Sequence, residues 1–464
     1  MLPSDRPLAS GRYAWYVVGV LTLANVSGFV DRQILSLLVP AIKRDLGISD
    51  TQMSYLIGLS FSVFYTVLGL PIAWWADRGN RRDIMAGGVT LWSLMTMACG
   101  IARTYGRLLL TRIGVGVGEA SLSAPSVSLI ADYFPRERLG TAMSVYQLGV
   151  FLGSGLAYFI GGWIVGLIAA SGRWQWPIIG TIRPWQTVFF VVGAPGLFVA
   201  ALMMTVREPR TRRRERSRPP ERVGAGAIAS GMSLDSGLVQ PLDRRMRLLP
   251  YVRANRRTFF THSFGFALSG MVNYGIAAWL ATFLIRTYGW SVARAGMVQG
   301  ILTMTIGVAG VLLGGRVADR LVRRGRVDAA LRVGIIGAVG MLVSASAYPL
   351  MPSAGLAVAW LALVNFFAAF PWGAAAAAAA EIVPAPLRSQ GAALYFFVLN
   401  LVSSALGPSV VAWITDYAFH DDGALRYSLV IVNVAGMLAA ILLFAAGLPA
   451  YRRTLATRDA WDAA

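Results

Sequence analysis

Apolar residues in this chain come in long runs, with charged residues gathered between them. Spanning a bilayer takes about 20 apolar residues in helical form. Runs of that length recur at roughly 14–40, 53–76, 84–102, 108–131, 139–168 and 186–206. Six more follow at 258–285, 292–318, 332–350, 354–382, 388–416 and 426–448. The pattern predicts an all-α integral membrane protein with twelve transmembrane helices. Between the sixth and seventh runs lies a polar stretch that opens with REPRTRRRERSRPPER and closes with DRRMRLLPYVRANRR. It divides the chain into a six-helix unit at 1–206, a basic linker at 207–257, and a second six-helix unit with a short tail at 258–464. The linker reads as a tether and topology signal that leans on anionic lipid headgroups. A regulatory docking segment is the alternative.

Composition agrees with the periodicity. The 464 residues are 56% hydrophobic and 14% charged, where soluble domains carry about 25% charged residues. A net charge of +20 raises the question of nucleic acid. The basic residues are distributed between apolar runs, so no nucleic-acid partner is expected. Lys and Arg fall mostly on the side that holds both termini. The positive-inside rule then puts both termini in the cytoplasm, as for a bacterial inner-membrane protein. The N-terminus, MLPSDRPLASGRYAW, lacks a cleavage signature, so the first run is expected to remain as an anchor. Cys99 is the only cysteine, which excludes an internal disulfide. His262 and His420 sit near the ends of runs, and neither a metal site nor a cofactor is expected.

Charges inside the runs carry the chemistry. RIGVGVGEASLSAP, residues 112–125, places Arg112 and Glu119 in an apolar setting. Each ionised group near a bilayer centre costs roughly 2.5–3.5 kcal/mol. Seven residues bring a helix back to nearly the same face, about 10.5 Å along, so the two share a face but are not a direct pair. The first helix adds Asp31 and Arg32, which point about 100° apart. Each charge therefore needs a partner on another helix. Counted from the helix ends, Asp31 falls between Arg112 and Glu119 in depth. A purely structural cluster is the alternative, but FFAAFPWGAAAAAAAE in the tenth run has no charge at that depth. The glycines of RIGVGVGEA read as close helix packing, since a dinucleotide loop would need a preceding strand.

An internal repeat defines the architecture. AWWADRGNRR at 73–82 recurs as GRVADRLVRR at 315–324, and DYFPRERLGTAM at 132–143 is echoed by EIVPAPLRSQGAA at 381–393. Two echoes in order mean a duplicated six-helix unit. The first of them resembles the G-x-x-x-D-R-x-G-x-R-R loop of the major facilitator superfamily. Asp77, Arg78, Gly79, Arg81 and Arg82 fit, with Ala73 in place of the first Gly. The second copy supplies Gly315, Asp319, Arg320, Arg323 and Arg324, and Arg112, Gly116 and Gly118 match the R-x-x-x-G-x-G pattern of helix 4. Within the superfamily, GVGEASLSAPSVSLIADYFP together with Asp31–Arg32 resembles the Spinster family of lipid transporters. The helix 5 antiporter pattern is partial, because Ala157 and Tyr158 stand where Gly-Pro is expected.

The resemblance implies a major facilitator fold of two pseudo-symmetric six-helix bundles, with helices 1 and 4 lining a central cavity. The expected function is proton-linked secondary transport by alternating access, with a lysolipid or sphingoid-type substrate. A small organic anion or drug carrier is the alternative. A lipid-acting enzyme finds no Ser-His-Asp set or metal cluster to support it. A sensor without transport activity is a third class. Asp31 and Glu119 are the expected proton carriers, and Arg32 and Arg112 the groups that position them and the headgroup. Tyr146, Gln147, Asn273, Tyr274, Phe370, Trp372, Tyr395 and Asn400 are candidates for the rest of the pocket. The resemblance further implies that Asp77 braces the helix start at Ser389–Gly391, and Asp319 the one at Leu139–Thr141, with Arg78 and Arg320 beside them. Arg81 and Arg82 read as topology-fixing loop charges. Membrane lipids and protons are the expected partners, and a monomer the expected form.

Overall fold

The computed structural model describes residues 11–170, 174–176, 180–209, 248–384 and 387–458. Most of the expected linker lies outside the described residues, as do the two chain ends. Eleven of the described helices are long and apolar enough to cross a membrane. They are α1 (Gly11–Leu46), α2 (Asp50–Ala76), α4 (Tyr105–Tyr133), α5 (Thr141–Ile168), α6 (Pro184–Met204), α7 (Arg256–Tyr288), α8 (Val292–Arg323), α9 (Ala329–Leu350), α10 (Ala354–Ala379), α11 (Gln390–Phe419) and α12 (Asp422–Thr457). The remaining helix of the twelve, α3 (Arg81–Cys99), opens with three charged residues before its apolar part begins at Ile84. Strands β1 (Trp174–Trp176) and β2 (Gly180–Ile182) form a small antiparallel hairpin between α5 and α6.

Helix ends follow local chemistry. α1 outruns its apolar stretch by continuing past Pro40 to a last turn that carries Lys43 and Arg44. Cations there complement the helix dipole, and Gly47, at φ +63°, supplies the left-handed residue that ends the turn. Ser49 then caps α2 and Gln52 reaches back to it, a complete capping box.

Two helices break midway. α4 divides into Tyr105–Glu119 and Ser123–Tyr133, and α10 into Ala354–Ala369 and Trp372–Glu381. Pro125 lies in the first turn after one break and Pro371 within the other, where a missing N–H is harmless. Interrupted helices at membrane depth are tolerated where they line a cavity. The charged Glu119 is the last residue before the first break.

The two halves repeat one packing scheme. α1 lies on α5 as α7 lies on α11, α3 on α6 as α9 on α12, and α2 on α4 as α8 on α10. The halves meet along α5–α8, α2–α11 and α1–α7. A Cβ at Gly300 would sit 2.6 Å from the Gly155 carbonyl, so α5 and α8 approach as closely as backbones can.

Each half is also tied near its terminal end, with opposite charge sense. Arg81, fully buried at the start of α3, binds Glu208 beyond α6 at 2.5 Å and Asp132 on α4 at 2.6 Å. Asp328, before α9 and 1% exposed, binds Arg332 at 2.8 Å and Arg452 of α12 at 2.5 Å. Arg81 is therefore no simple loop charge. The sequence reading missed its burial because Glu208 and Asp132 are far away along the chain.

Candidate functional site

The four membrane charges lie on two helices of the N-terminal half, α1 and α4. Arg32 Nε donates to Glu119 Oε2 at 2.6 Å, which joins α1 to α4. The carboxylate lies against α1 beside Gly28, where an added Cβ would sit in van der Waals contact, 3.4 Å from Glu119 Oε2. The Arg32 guanidinium is boxed by the rings of Phe61, Tyr65 and Phe29, at 4.5, 4.9 and 5.0 Å. Its side chain is still 22% exposed.

Asp31 is 1% exposed and points instead to α3, where Thr96 Oγ1 donates to its Oδ2 at 3.2 Å. Arg112 is fully buried, and its Nε donates to the Leu56 carbonyl at 3.3 Å. That carbonyl belongs to a π-helical turn of α2, Tyr55–Leu59, and such turns disturb the regular i→i−4 bonding of a helix. Asp31 Oδ1, Glu119 Oε1 and both Nη atoms of Arg112 have no hydrogen-bond partner among the described residues. Buried polar atoms left unmatched in this way are costly. The cluster can thus accept further protons or donors without dismantling existing bonds. Of the two arginines, Arg32 is the one that remains accessible.

One end of the molecule is sealed across the halves. Lys43 of α1 binds Asp50 at 2.6 Å and Asp422 of α12 at 2.8 Å. Arg286 of α7 binds Asp50 at 2.7 Å and Asp422 at 3.0 Å. The Thr51 N–H donates to Asp416 of α11 at 2.6 Å. Ser54 and Ser62 of α2 continue the seam by hydrogen bonds to Ser409 and Ser404 of α11. Asp50, Asp416 and Asp422 converge closely enough to hold a cation, a grouping that their separation in sequence concealed. Lys43 and Arg286 supply the balancing charge there, so the arrangement is an ion-pair network.

At the terminal end, no hydrogen bond or ion pair crosses between the halves among the described residues. Asp319 and Arg320 are exposed there, and Asp319 has no described partner. Among the described residues, Asp319 makes no hydrogen bond of the expected brace to Leu139–Thr141. The side chains of Asp77 and Ser389 lie outside the described residues. Arg78 lies over the Trp74 ring at 3.7 Å, and Arg82 pairs with neighbouring Asp83 at 2.7 Å.

Two cavities lie near the meeting of the halves, and the second adjoins the cluster through Phe29. One, about 720 Å³ to its mouth, lies in the C-terminal half and is largely apolar. Phe266, Met341, Phe367, Trp372 and Tyr395 line it, with Gln147 reaching in from α5. The other, about 740 Å³, lies between the halves and is richer in hydrogen-bonding groups. Asn273 and Trp372 line both cavities, and Tyr274 and Phe29 the second. Three of the sequence candidates lie elsewhere. Tyr146 is buried in the core of the N-terminal half. Phe370 packs on Phe366 with its carbonyl against Gly314, and Asn400 bonds back to its own helix at the Phe396 carbonyl. His262, expected near a helix end, is fully buried within α7 against Phe266 and Tyr395.

A duplicated twelve-helix frame, sealed at one end around intramembrane charges, is what the sequence signatures of carriers require. The family pattern of the Major Facilitator Superfamily matches residues 21–347. The chain belongs to this superfamily. It is an integral membrane transporter, and it resembles the Spinster proteins within that group. An MFS-type efflux pump of Mycolicibacterium smegmatis is 30% identical over 96% of this chain and 95% of its own length. Protein spinster homolog 1 of Homo sapiens is 28% identical over 93% of this chain and 80% of its own length. Among solved structures, a bacterial homolog to the human lysosomal transporter Spinster, inward-facing and unoccupied, superposes with a TM-score of 0.75. It is 26% identical, with 97% of this chain and 98% of that one covered. None of these matches points to a catalytic family.

Sequence reasoning missed Gln33, Phe61, Tyr65, Thr96, Gln299 and Asn365. Gln33 had a signal, because it follows Asp31–Arg32 directly. The others carry no charge, and their convergence depends on the fold.

Proposed function

We propose that this chain is a proton-linked secondary transporter that moves an amphipathic lysolipid or sphingoid-type substrate by alternating access. The observation that carries this reading is the division of labour inside one opening. Arg32, which keeps 22% exposure, and buried Glu119 form a charged pair in the N-terminal half, and an apolar cavity lies in the other half. An anionic headgroup would pair with Arg32 while the tail fills the cavity between Phe266 and Tyr395. Asp31 and Glu119 each keep one oxygen unmatched. Protonating either acid leaves the cluster one unit more positive and strengthens its hold on an anion. Arg112 would tune the pair from behind rather than touch the substrate.

The arginine-rich side is taken as cytoplasmic, which places the sealed network outside and makes this conformation inward-open. Asp77 and Asp319 would then brace the cytoplasmic end in the opposite state. Residues 1–206 and 258–464 act as the two rocking units, with 207–257 as tether, and a monomer suffices because one chain forms the whole cavity. The expected location is a bacterial inner membrane.

Proteoliposome uptake tests this. Labelled lysolipid should accumulate under an imposed pH gradient, and Arg32→Ala should abolish accumulation while exposed Arg326→Ala leaves it intact. Uptake of small organic anions but not of lysolipid would move the substrate to the alternative class. Uptake indifferent to the gradient would remove the proton.

A further inference from the structure

The second cavity has a chemistry that neither the charged pair nor the apolar cavity explains. Its floor comes from both halves, with Gln33 and Tyr158 on one side and Asn273, Gln299, Thr303 and Asn365 on the other. No charged side chain is among its described lining residues. Amide groups at membrane depth are costly unless something matches them. Most of these are matched: Tyr158 donates to Gln33 Oε1 at 3.0 Å, Gln299 Nε2 to Thr303 Oγ1 at 3.2 Å, and Thr303 to Asn365 Oδ1 at 3.2 Å. Of their fully buried side-chain atoms, one is left over. Gln299 Oε1 is buried and has no hydrogen-bond partner among the described residues. Turning the amide over would leave its NH₂ unmatched instead. Thr303 also begins a π-helical turn of α8, Thr303–Gly307, a distortion that often marks a working site.

We infer that this cavity is a hydroxyl-reading subsite, one that takes the uncharged, hydroxyl-bearing backbone between the substrate's headgroup and its tail. The inference rests on the amphipath reading above and narrows it to polar-backbone lipids. A hydroxyl both donates and accepts, so it matches the free Gln299 atom whichever way the amide lies. A carboxylate could only accept and an ammonium only donate, and neither would find a counter-charge here. Position fits as well. Phe29 lines this cavity and also stacks on Arg32, whereas Asn273 and Trp372 open it onto the apolar cavity. The subsite therefore lies between the places proposed for head and tail. Because both halves contribute to it, the same contacts also register that the halves are close.

The test uses the full chain in nanodiscs free of glycoside detergent. Binding is measured for a lysophosphatidic acid with a free glycerol hydroxyl and for its deoxy analogue of equal chain length. Wild type should prefer the hydroxylated ligand by roughly tenfold, the scale of one well-made hydrogen bond in a closed site. Gln299→Leu should erase that preference. Thr303→Val, a near-isosteric change, should reduce the preference and guards against a fold defect in the first variant. Equal binding of both ligands by wild type would overturn the subsite and mean that water alone fills it. A preference that survives in both variants would overturn it too. If neither lysolipid binds, the lysolipid proposal fails, and decyl glucoside decides the subsite separately. Weaker glucoside binding by Gln299→Leu than by wild type supports it, and equal or absent binding overturns it.

Discussion

Asp50 is the centre of the sealed end, and neutralising it should unlatch the two halves. Its carboxylate is fully buried and receives Lys43 from its own half and Arg286 from the other. In Asp50→Asn the shape stays but both cations lose their shared counter-charge. Breaking a well-buried pair costs about 3–5 kcal/mol. The bound is not reached here, because the Lys43 and Arg286 side chains are 15% and 18% exposed. Both also keep Asp422, at 2.8 and 3.0 Å. About 2 kcal/mol is a reasonable share of that bound, which moves the sealed-to-open equilibrium roughly 30-fold toward opening. Spin labels at exposed Arg44 on α1 and Tyr417 on α11 would report the gap, and buried Cys99 should stay unlabelled. The control is Asp45→Asn, which removes a charge at the same end. Among the described residues, Asp45 binds only within its own half, to Trp185 and Arg183. Distance distributions should broaden and lengthen in Asp50→Asn and stay unchanged in Asp45→Asn. An unchanged Asp50→Asn, or equal shifts in both, would refute the latch.

Glu119→Gln should melt near wild type, because Arg32 keeps partial exposure and three aromatic neighbours, yet it should fail to accumulate substrate under a pH gradient while downhill exchange survives. Full gradient-driven uptake by that variant would leave Asp31 as the proton carrier. Asp328 lies outside the spans, and although burial alone would raise its pKa, Arg332 and Arg452 hold the carboxyl below its ordinary value. Its stabilising contribution should be complete at pH 7, begin to decline as pH falls through about 4, and vanish below the folded-state value. Melting temperatures of wild type and Asp328→Asn should accordingly differ at pH 7 and converge in acid; a constant gap across pH would exclude the linkage. Gly300→Val forces a branched side chain into the α5–α8 contact and should cost about 1–3 kcal/mol, read as a lower melting temperature. Wild-type melting would show that the contact has slack.

Helix count and duplication were legible because hydrophobic run length and the ADR repeat are local properties of the chain. α3 shows the limit, since Arg81 looks like a loop charge until Glu208 and Asp132 close on it. Four intramembrane charges announced the cluster by their cost, and their need for partners on other helices followed from helical spacing. The pairing itself did not follow. Asp31 faces Thr96 on α3 and Arg112 faces a carbonyl of α2, partners that carry no charge and leave no mark in a charge pattern. Aromatic candidates fared unevenly for a related reason. Tyr395 and Trp372 line cavities, whereas Tyr146 and Phe370 pack in cores. A large ring suits either place, and only the fold decides which way its face of the helix turns. The break in α4 straight after Glu119 was equally hidden, because Pro125 marks a helix start as readily as a kink.

The duplicated frame and the undivided site pull in different directions, and the chemistry resolves the tension. α4 and α10 occupy equivalent places and break at equivalent depths, yet one break follows Glu119 and the other is Phe370–Pro371. Had the charges been duplicated too, a substrate between the halves would meet two charged walls, and burying a hydrocarbon chain there would displace water from ions without replacing it. One charged half and one apolar half instead match the two ends of an amphipath. The seam between them, where the amides of Gln33, Asn273, Gln299 and Asn365 gather, is the only place where an intermediate polarity is needed. Rocking the halves about such a seam changes the distance between charged wall and apolar wall, so a molecule that spans both must respond to the motion. Arg112 extends the same logic to the far end, because its bond to Leu56 reaches the helix whose first turn holds Asp50.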